Sequence, residues 1–94
     1  MEKLLYLDNA ATTKTAPEVL EAMIPYFTEC YGNPSSAYSF AAKNKDAITR
    51  QRETIANALG ANANEIYFTA GGSEADNWAL KATAEAYKDK GKHI

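Results

Sequence analysis

The stretch that decides the fold runs from Phe68 to Asn77 and reads Phe-Thr-Ala-Gly-Gly-Ser-Glu-Ala-Asp-Asn. The run at 65–69 is short, β-branched and aromatic, and it predicts a strand. A glycine pair ends that strand. Ser73 then begins a helix, with Asp76 at the capping-box distance. The stretch therefore predicts a strand, a glycine turn and a helix N-terminus in succession.

A helix N-terminus of this kind can bind an anion. Its first N–H groups have no helical acceptor and lie at the positive end of the helix dipole. Gly71 and Gly72 allow close approach of a phosphate and a positive φ, and the Ser73 hydroxyl can cap the helix or donate to a phosphate oxygen. The turn lacks the lysine of a P-loop and the spacing of a dinucleotide fingerprint. A plain turn with an N-cap is the alternative, and Glu74 weighs against an anion unless its carboxylate points away.

Working outward, the pattern predicts three helices, near residues 16–29, 36–59 and 73–90. The first is expected to begin with a capping box between Thr15 and Glu18. Apolar positions recur at helical spacing, at Leu20, Met23, Ile24 and Phe27 in the first helix, Ala41, Ile48, Ile55 and Leu59 in the second, and Ala75, Trp78, Ala79, Ala82 and Ala86 in the third.

Two residues are expected to bend or end these helices. Pro25 lies inside the first pattern and is expected to kink or shorten that helix. Gly60 follows the second pattern and is suited to the C′ position, where a left-handed residue ends a helix.

Composition limits the classes of function. The chain has 94 residues, 46% of them apolar and 23% charged, which is typical of one globular domain or part of one. A net charge of -2 favours neither nucleic acid nor an anionic membrane. Cys30 is the single cysteine, so no internal disulfide is possible. No signal peptide, membrane span or metal site is indicated, and a cytoplasmic protein is expected.

The two ends of the chain indicate a larger protein. Residues 1–14 are predicted to form an extended N-terminal arm that must pack on something else. Residues 15–94 are predicted to be the start of a larger domain, because Lys92-His93-Ile94 resembles the first step of a new element. One strand cannot make a sheet, so the sequence is expected to be truncated.

Four segments together resemble one family. Residues 6–13 (Tyr-Leu-Asp-Asn-Ala-Ala-Thr-Thr), 32–36 (Gly-Asn-Pro-Ser-Ser), 68–77 and 90–94 (Lys-Gly-Lys-His-Ile) occur in order across the chain. They resemble the N-terminal signature, the first loop, the phosphate-binding segment and the next strand of NifS/IscS-type cysteine desulfurases. These enzymes are class V aminotransferase relatives with the type I pyridoxal-phosphate fold.

The resemblance implies an α/β fold, here an N-terminal fragment with an arm, three helices and one short strand. It implies a large cofactor-binding domain that begins at residue 15. Gly72 and Ser73 would bind the phosphate of pyridoxal 5'-phosphate, although relatives often have Ala-Thr there. The parent would be a cytoplasmic homodimer that converts L-cysteine to L-alanine and passes sulfur as a persulfide to an acceptor protein for iron–sulfur clusters or thiolation.

The resemblance places no catalytic residue within this segment. The family's cofactor lysine, ring-stacking histidine, ring aspartate, carboxylate-binding arginine and persulfide cysteine all follow the stretch present here. Lys81, Lys88, His93 and Cys30 do not match those positions. Cys30 is interpreted as a small packing residue and His93 as a solvated one, so the segment alone is expected to be inactive.

Two other functions remain open on sequence. Another class V transferase, such as a selenocysteine lyase, would differ mainly in the cysteine loop. A stand-alone, non-catalytic helical domain would hide its apolar faces by self-association.

Overall fold

The computed structural model describes residues 2–94. It has three α-helices and one short 3₁₀ helix: α1 is Pro17–Thr28, α2 is Ser39–Leu59, the 3₁₀ helix is Ala63–Glu65, and α3 is Gly72–Ala86. All three predicted helices are therefore confirmed. The start of α2 lies at 39 rather than 36, and α3 ends at 86 rather than 90, where the chain continues as a turn.

The chain forms two compact units, one ending at Arg50 and the other beginning at Gln51. In the first unit, residues 2–16 have no regular secondary structure beyond a turn in which the N–H of Ala11 donates to the Asp8 oxygen at 3.1 Å. The leucines of this segment are open to solvent, with Leu4 83% and Leu7 78% exposed. The described part of this segment is thus irregular and its apolar side chains are exposed, and its assignment as an arm stays a prediction.

The first helix begins one residue later than a Thr15 cap requires. Ala16 is the N-cap, with extended backbone angles of -62° and 137°, and no side chain caps this end. A residue before proline is driven out of the helical region, and Pro17 has no N–H to satisfy at the first helical position. The predicted capping box between Thr15 and Glu18 is therefore wrong.

Pro25 was predicted to kink or shorten the first helix, and it lies inside α1, three residues before that helix ends. The chain stays helical to Thr28, and the Pro25 oxygen then accepts from the N–H groups of Glu29 at 2.9 Å and Cys30 at 2.8 Å. The two bonds satisfy a carbonyl at the helix end that would otherwise lack a partner.

The loop after α1 is docked tightly against α2. Gly32 is buried, and a Cβ there would lie 3.0 Å from the Phe40 oxygen and 3.1 Å from the Ala41 Cα. Asn44 is only 7% exposed, and its Nδ2 donates to the Gly32 oxygen. Tyr31 and Phe40 meet edge to face at 5.0 Å between ring centroids. Glycine is required at position 32 because the backbone of α2 leaves no room for a Cβ, and not because of its φ angle.

The second unit begins within α2 and contains the end of that helix. Gly60 has a φ of 67°, its N–H donates to the Asn57 oxygen at 3.3 Å, and the N–H of Ala61 donates to the Ala56 oxygen at 2.8 Å. These two bonds and the left-handed residue define a Schellman motif. The prediction that Gly60 is the C′ residue is confirmed.

We expect Gly60→Ala to lower the free energy of unfolding by about 1–2 kcal/mol, because a Cβ is strained at positive φ. The space around Gly60 is open, with nothing within 4 Å of an added Cβ, so the effect should be conformational alone. Gly91→Ala is the matched control, since Gly91 is equally open and has no positive φ. Urea unfolding of the two variants measures the difference. Equal urea midpoints for the two variants would contradict the assignment of Gly60 as a left-handed C′ residue.

The strand predicted over 65–69 is not formed. Glu65 belongs to the 3₁₀ helix, where its Oε2 accepts from the Asn62 N–H at 2.7 Å. Ile66 has extended angles of -99° and 124°, yet residues 2–94 contain no β-ladder. An extended segment becomes a strand only when a neighbour takes up its N–H and C=O groups. The backbone shape was predicted, and the pairing needs a partner strand that the described residues do not supply.

Candidate phosphate-binding turn

The sequence-predicted site lies where the segment 66–69, which has no regular secondary structure, meets α3. Gly71 is the N-cap of α3, with an extended backbone and no side-chain cap. The first helical bond is that from the Ala75 N–H to the Gly71 oxygen, at 3.2 Å. Within residues 2–94, the N–H groups of Gly72, Ser73 and Glu74 have no acceptor. Three adjacent donors are therefore free at the positive end of the helix dipole.

Gly72 and Ser73, the residues predicted to hold the phosphate, both lie at this end of α3, but the prediction that Ser73 begins the helix as its cap is wrong. Neither Gly71 nor Gly72 has a positive φ, and Gly72 is the first helical residue. Ser73 is the second helical residue rather than the N-cap, so Asp76 does not complete a capping box with it. The Ser73 hydroxyl makes no hydrogen bond to any described residue. It is available to a ligand.

Three side chains brace this turn without using the free amides. Thr69 Oγ1 donates to the Gly71 oxygen at 3.0 Å, Glu74 Oε2 accepts from the Ala70 N–H at 2.8 Å, and Asn77 Nδ2 donates to the Ser73 oxygen at 2.8 Å. Glu74 is the acidic residue that weighed against an anion on sequence grounds. Its carboxylate is engaged with the residue before the N-cap, and it leaves the amides of the first turn unpaired.

Aromatic side chains hold the segment that leads into the turn. Tyr67 meets Trp78 of α3 edge to face, with ring centroids 5.2 Å apart. The Arg52 guanidinium lies 5.1 Å from the centre of the Phe68 ring. Two successive residues of the segment, Tyr67 and Phe68, thus contact two different helices, α3 and α2. Trp78, one of the apolar positions predicted for the third helix, is 48% exposed and packs its ring on Tyr67.

The space in front of the turn is open. An added Cβ at Gly71 or Gly72 would meet no atom within 4 Å. Two open grooves lie in this unit. One is lined by Leu80, Tyr87 and Ile94 near the C-terminal end of α3, and the other, lined by residues that include Thr69, Ala75 and Trp78, lies beside the turn. The turn can thus receive a small anion, but the walls of an enclosed pocket would come from other residues.

Other reactive side chains form no second site. Cys30 is a partly exposed free thiol, and His93 is exposed. Among residues 2–94 no group of three His, Cys, Asp or Glu side chains is placed to hold a metal ion. None of the helices in that range is both long enough and apolar enough to span a bilayer.

Residues 5–94 match the family described as aminotransferase class-V. The chain belongs to this family. The resemblance found in its four segments is thereby confirmed at the level of the family.

The relatives of this class-V chain include curated desulfurases. The cysteine desulfurase IscS of Clostridium botulinum (strain Kyoto / Type A2) is 61% identical over 94 residues, which is 100% of this chain and 24% of the relative. The cysteine desulfurase IscS of Methanosarcina thermophila is 58% identical over 92 residues, covering 98% of this chain and 23% of that protein. The chain therefore spans about a quarter of the length of these relatives.

A solved structure of a NIFS-like protein has the same fold over this segment. It matches with a TM-score of 0.82 at 39% identity, covering 90% of this chain and 23% of that one. The match therefore covers most of this chain and about a quarter of the NIFS-like protein.

Proposed function

We propose that this chain is the N-terminal part of a pyridoxal-phosphate-dependent cysteine desulfurase. The observation that carries the proposal is the open N-terminus of α3, with free amides at residues 72–74 and a free Ser73 hydroxyl. It occurs in a class-V chain that is 61% identical along its whole length to a curated cysteine desulfurase. The proposal divides the chain into an arm, 1–14, and the start of the cofactor-binding domain, 15–94.

The residues present fit a phosphate monoester. Backbone N–H groups at a helix N-terminus and a serine hydroxyl are donors, and a phosphate dianion offers only acceptors at neutral pH. Gly72 adds no side chain, so the phosphate can approach the backbone closely. When bound, pyridoxal phosphate supplies an electron sink for chemistry at the substrate's α-carbon. The role of Gly72 and Ser73 would be to anchor and orient the cofactor.

The reaction proposed for the complete enzyme breaks the carbon–sulfur bond of L-cysteine. The sulfur passes to a protein thiol as a persulfide, and a proton replaces it on carbon to give L-alanine. The groups that carry out these steps are proposed to lie outside residues 1–94. A cytoplasmic homodimer that delivers sulfur to an acceptor protein completes the proposal, and that part is supported by the resemblance alone.

A test compares two proteins: the full-length enzyme that contains this segment, and the 94-residue chain alone. Each is supplied with pyridoxal phosphate, L-cysteine and a thiol reductant, and alanine and sulfide are measured. We expect stoichiometric alanine and sulfide from the full-length enzyme and neither product from the 94-residue chain, because the family's lysine and cysteine lie outside it.

Three outcomes would change this assignment. Turnover by the 94-residue chain, with full-length enzyme excluded, would show that the segment contains its own catalytic groups. A full-length enzyme that releases alanine only from L-selenocysteine would be a selenocysteine lyase. A chain that binds no cofactor and self-associates would favour the stand-alone helical domain.

A further inference from the structure

We propose that Glu74 is a positioning residue for the phosphate of the cofactor, an inference that rests on the proposed function. Its carboxylate holds the turn before α3 in the shape that leaves the amides of residues 72–74 free. Glu74 itself would contact the phosphate only through its backbone N–H.

The geometry that supports this role is a hydrogen bond across the N-cap. Glu74 is the third residue of α3, and its Oε2 accepts from the Ala70 N–H at 2.8 Å. Ala70 precedes the N-cap, Gly71, which has no side chain and cannot cap the helix itself. Glu74 thus closes the turn that a capping serine or aspartate at position 71 would otherwise close.

This closure differs from an ordinary N-cap in what it leaves unpaired. A capping side chain accepts from the amides of the second or third helical residue, which are those of Ser73 and Glu74 here. Glu74 instead accepts from an amide outside the helix, and the first-turn donors stay available. Thr69, which donates to the Gly71 oxygen at 3.0 Å, fixes the other side of the same turn.

The negative charge of Glu74 makes the assignment testable. A carboxylate near a phosphate dianion opposes its binding, whereas an acceptor for Ala70 favours the turn. Glu74→Gln keeps an acceptor oxygen and removes the charge, and Glu74→Ala removes both. If holding the turn matters more than the charge of Glu74, only the Glu74→Ala enzyme should lose affinity for the phosphate of the cofactor.

The experiment uses the full-length enzyme stripped of cofactor and titrates it separately with pyridoxal 5'-phosphate and with pyridoxal, which has no phosphate. Any bond to the cofactor's aldehyde is common to both probes, so their affinity ratio reports the phosphate site. We expect Glu74→Ala to lower the ratio of the affinity for pyridoxal 5'-phosphate to that for pyridoxal by about tenfold. This is the typical effect of losing one hydrogen bond to a charged acceptor, here the bond from the Ala70 N–H to Glu74. Glu74→Gln should restore the ratio. Glu85→Ala, on the exposed face of α3, is the control for loss of a carboxylate.

The remaining outcomes each contradict one claim. A ratio that is unchanged or raised in both Glu74 variants would show that the residue contributes only charge. If Glu74→Ala lowers the affinity for both probes by the same factor, Glu74 has a general structural role, and the proposal that it positions the phosphate is wrong. A wild-type enzyme that binds the two probes equally would overturn the proposed cofactor site, and this proposal with it.

Discussion

Gly72→Asp in the full-length enzyme is expected to weaken pyridoxal phosphate binding by about a hundredfold or more. Two unit charges about 4 Å apart interact by roughly 4 kcal/mol at the effective dielectric constant of a protein surface, and the phosphate carries nearly two charges. The new carboxylate would stand at the first residue of α3, beside the free amides of residues 72–74. Titration of the stripped enzyme with pyridoxal phosphate measures the loss.

Steric effects can be separated from charge at this position, because an added Cβ at Gly72 meets nothing within 4 Å. The Gly72→Ala enzyme should therefore bind the cofactor nearly as well as the wild type does. Gly72→Asn matches aspartate in size without its charge and is the stricter control.

The stability of the cofactor-free enzyme should change in the opposite direction. A carboxylate in the first turn of a helix is stabilising, typically by about 0.3–1 kcal/mol. Gly72→Asp should therefore melt at the same or a higher temperature than wild type while binding the cofactor worst. Equal affinities for the aspartate and asparagine variants would exclude a phosphate at this turn.

Helix positions could be predicted from the sequence because the signals are local. The i, i+3, i+4 spacing of apolar residues located α1 and α2, and Gly60 located the end of α2 through its tolerance of positive φ. The caps were less predictable. Thr15 and Ser73 have capping side chains, yet Ala16 and Gly71 are the N-caps, because proline and glycine decide where each helix begins.

Features that depend on distant contacts were not predictable. The lone extended segment at 66–69 has the composition of a strand, but pairing requires a neighbour. Asn44 lies on a helix among polar residues, and nothing local distinguishes it as the buried donor to Gly32. In the candidate site, Gly72 and Ser73 were proposed from the turn pattern together with the family resemblance. The direction of the Glu74 carboxylate required coordinates.

Ser73→Ala is expected to weaken cofactor binding about ten- to a hundredfold. Loss of one hydrogen bond to a charged acceptor is typically worth about 1.5–3 kcal/mol. The Ser73 hydroxyl has no partner among the described residues, so its removal leaves no protein group unsatisfied. Covalent attachment of the cofactor would mask part of the loss, so affinity should be measured by titrating the stripped enzyme.

The structure also changes what the competing explanation predicts for Ser73. An N-cap serine replaced by alanine costs about 0.5–2 kcal/mol of stability, but the N-cap here is Gly71. Ser73 is inside the helix, where alanine is the better helix former by up to about 0.7 kcal/mol. The cofactor-free Ser73→Ala enzyme should therefore melt no lower than wild type. Ser73→Thr, which keeps the hydroxyl, should restore affinity. A lowered melting temperature with unchanged cofactor affinity would instead assign Ser73 to capping and reject its role in phosphate binding.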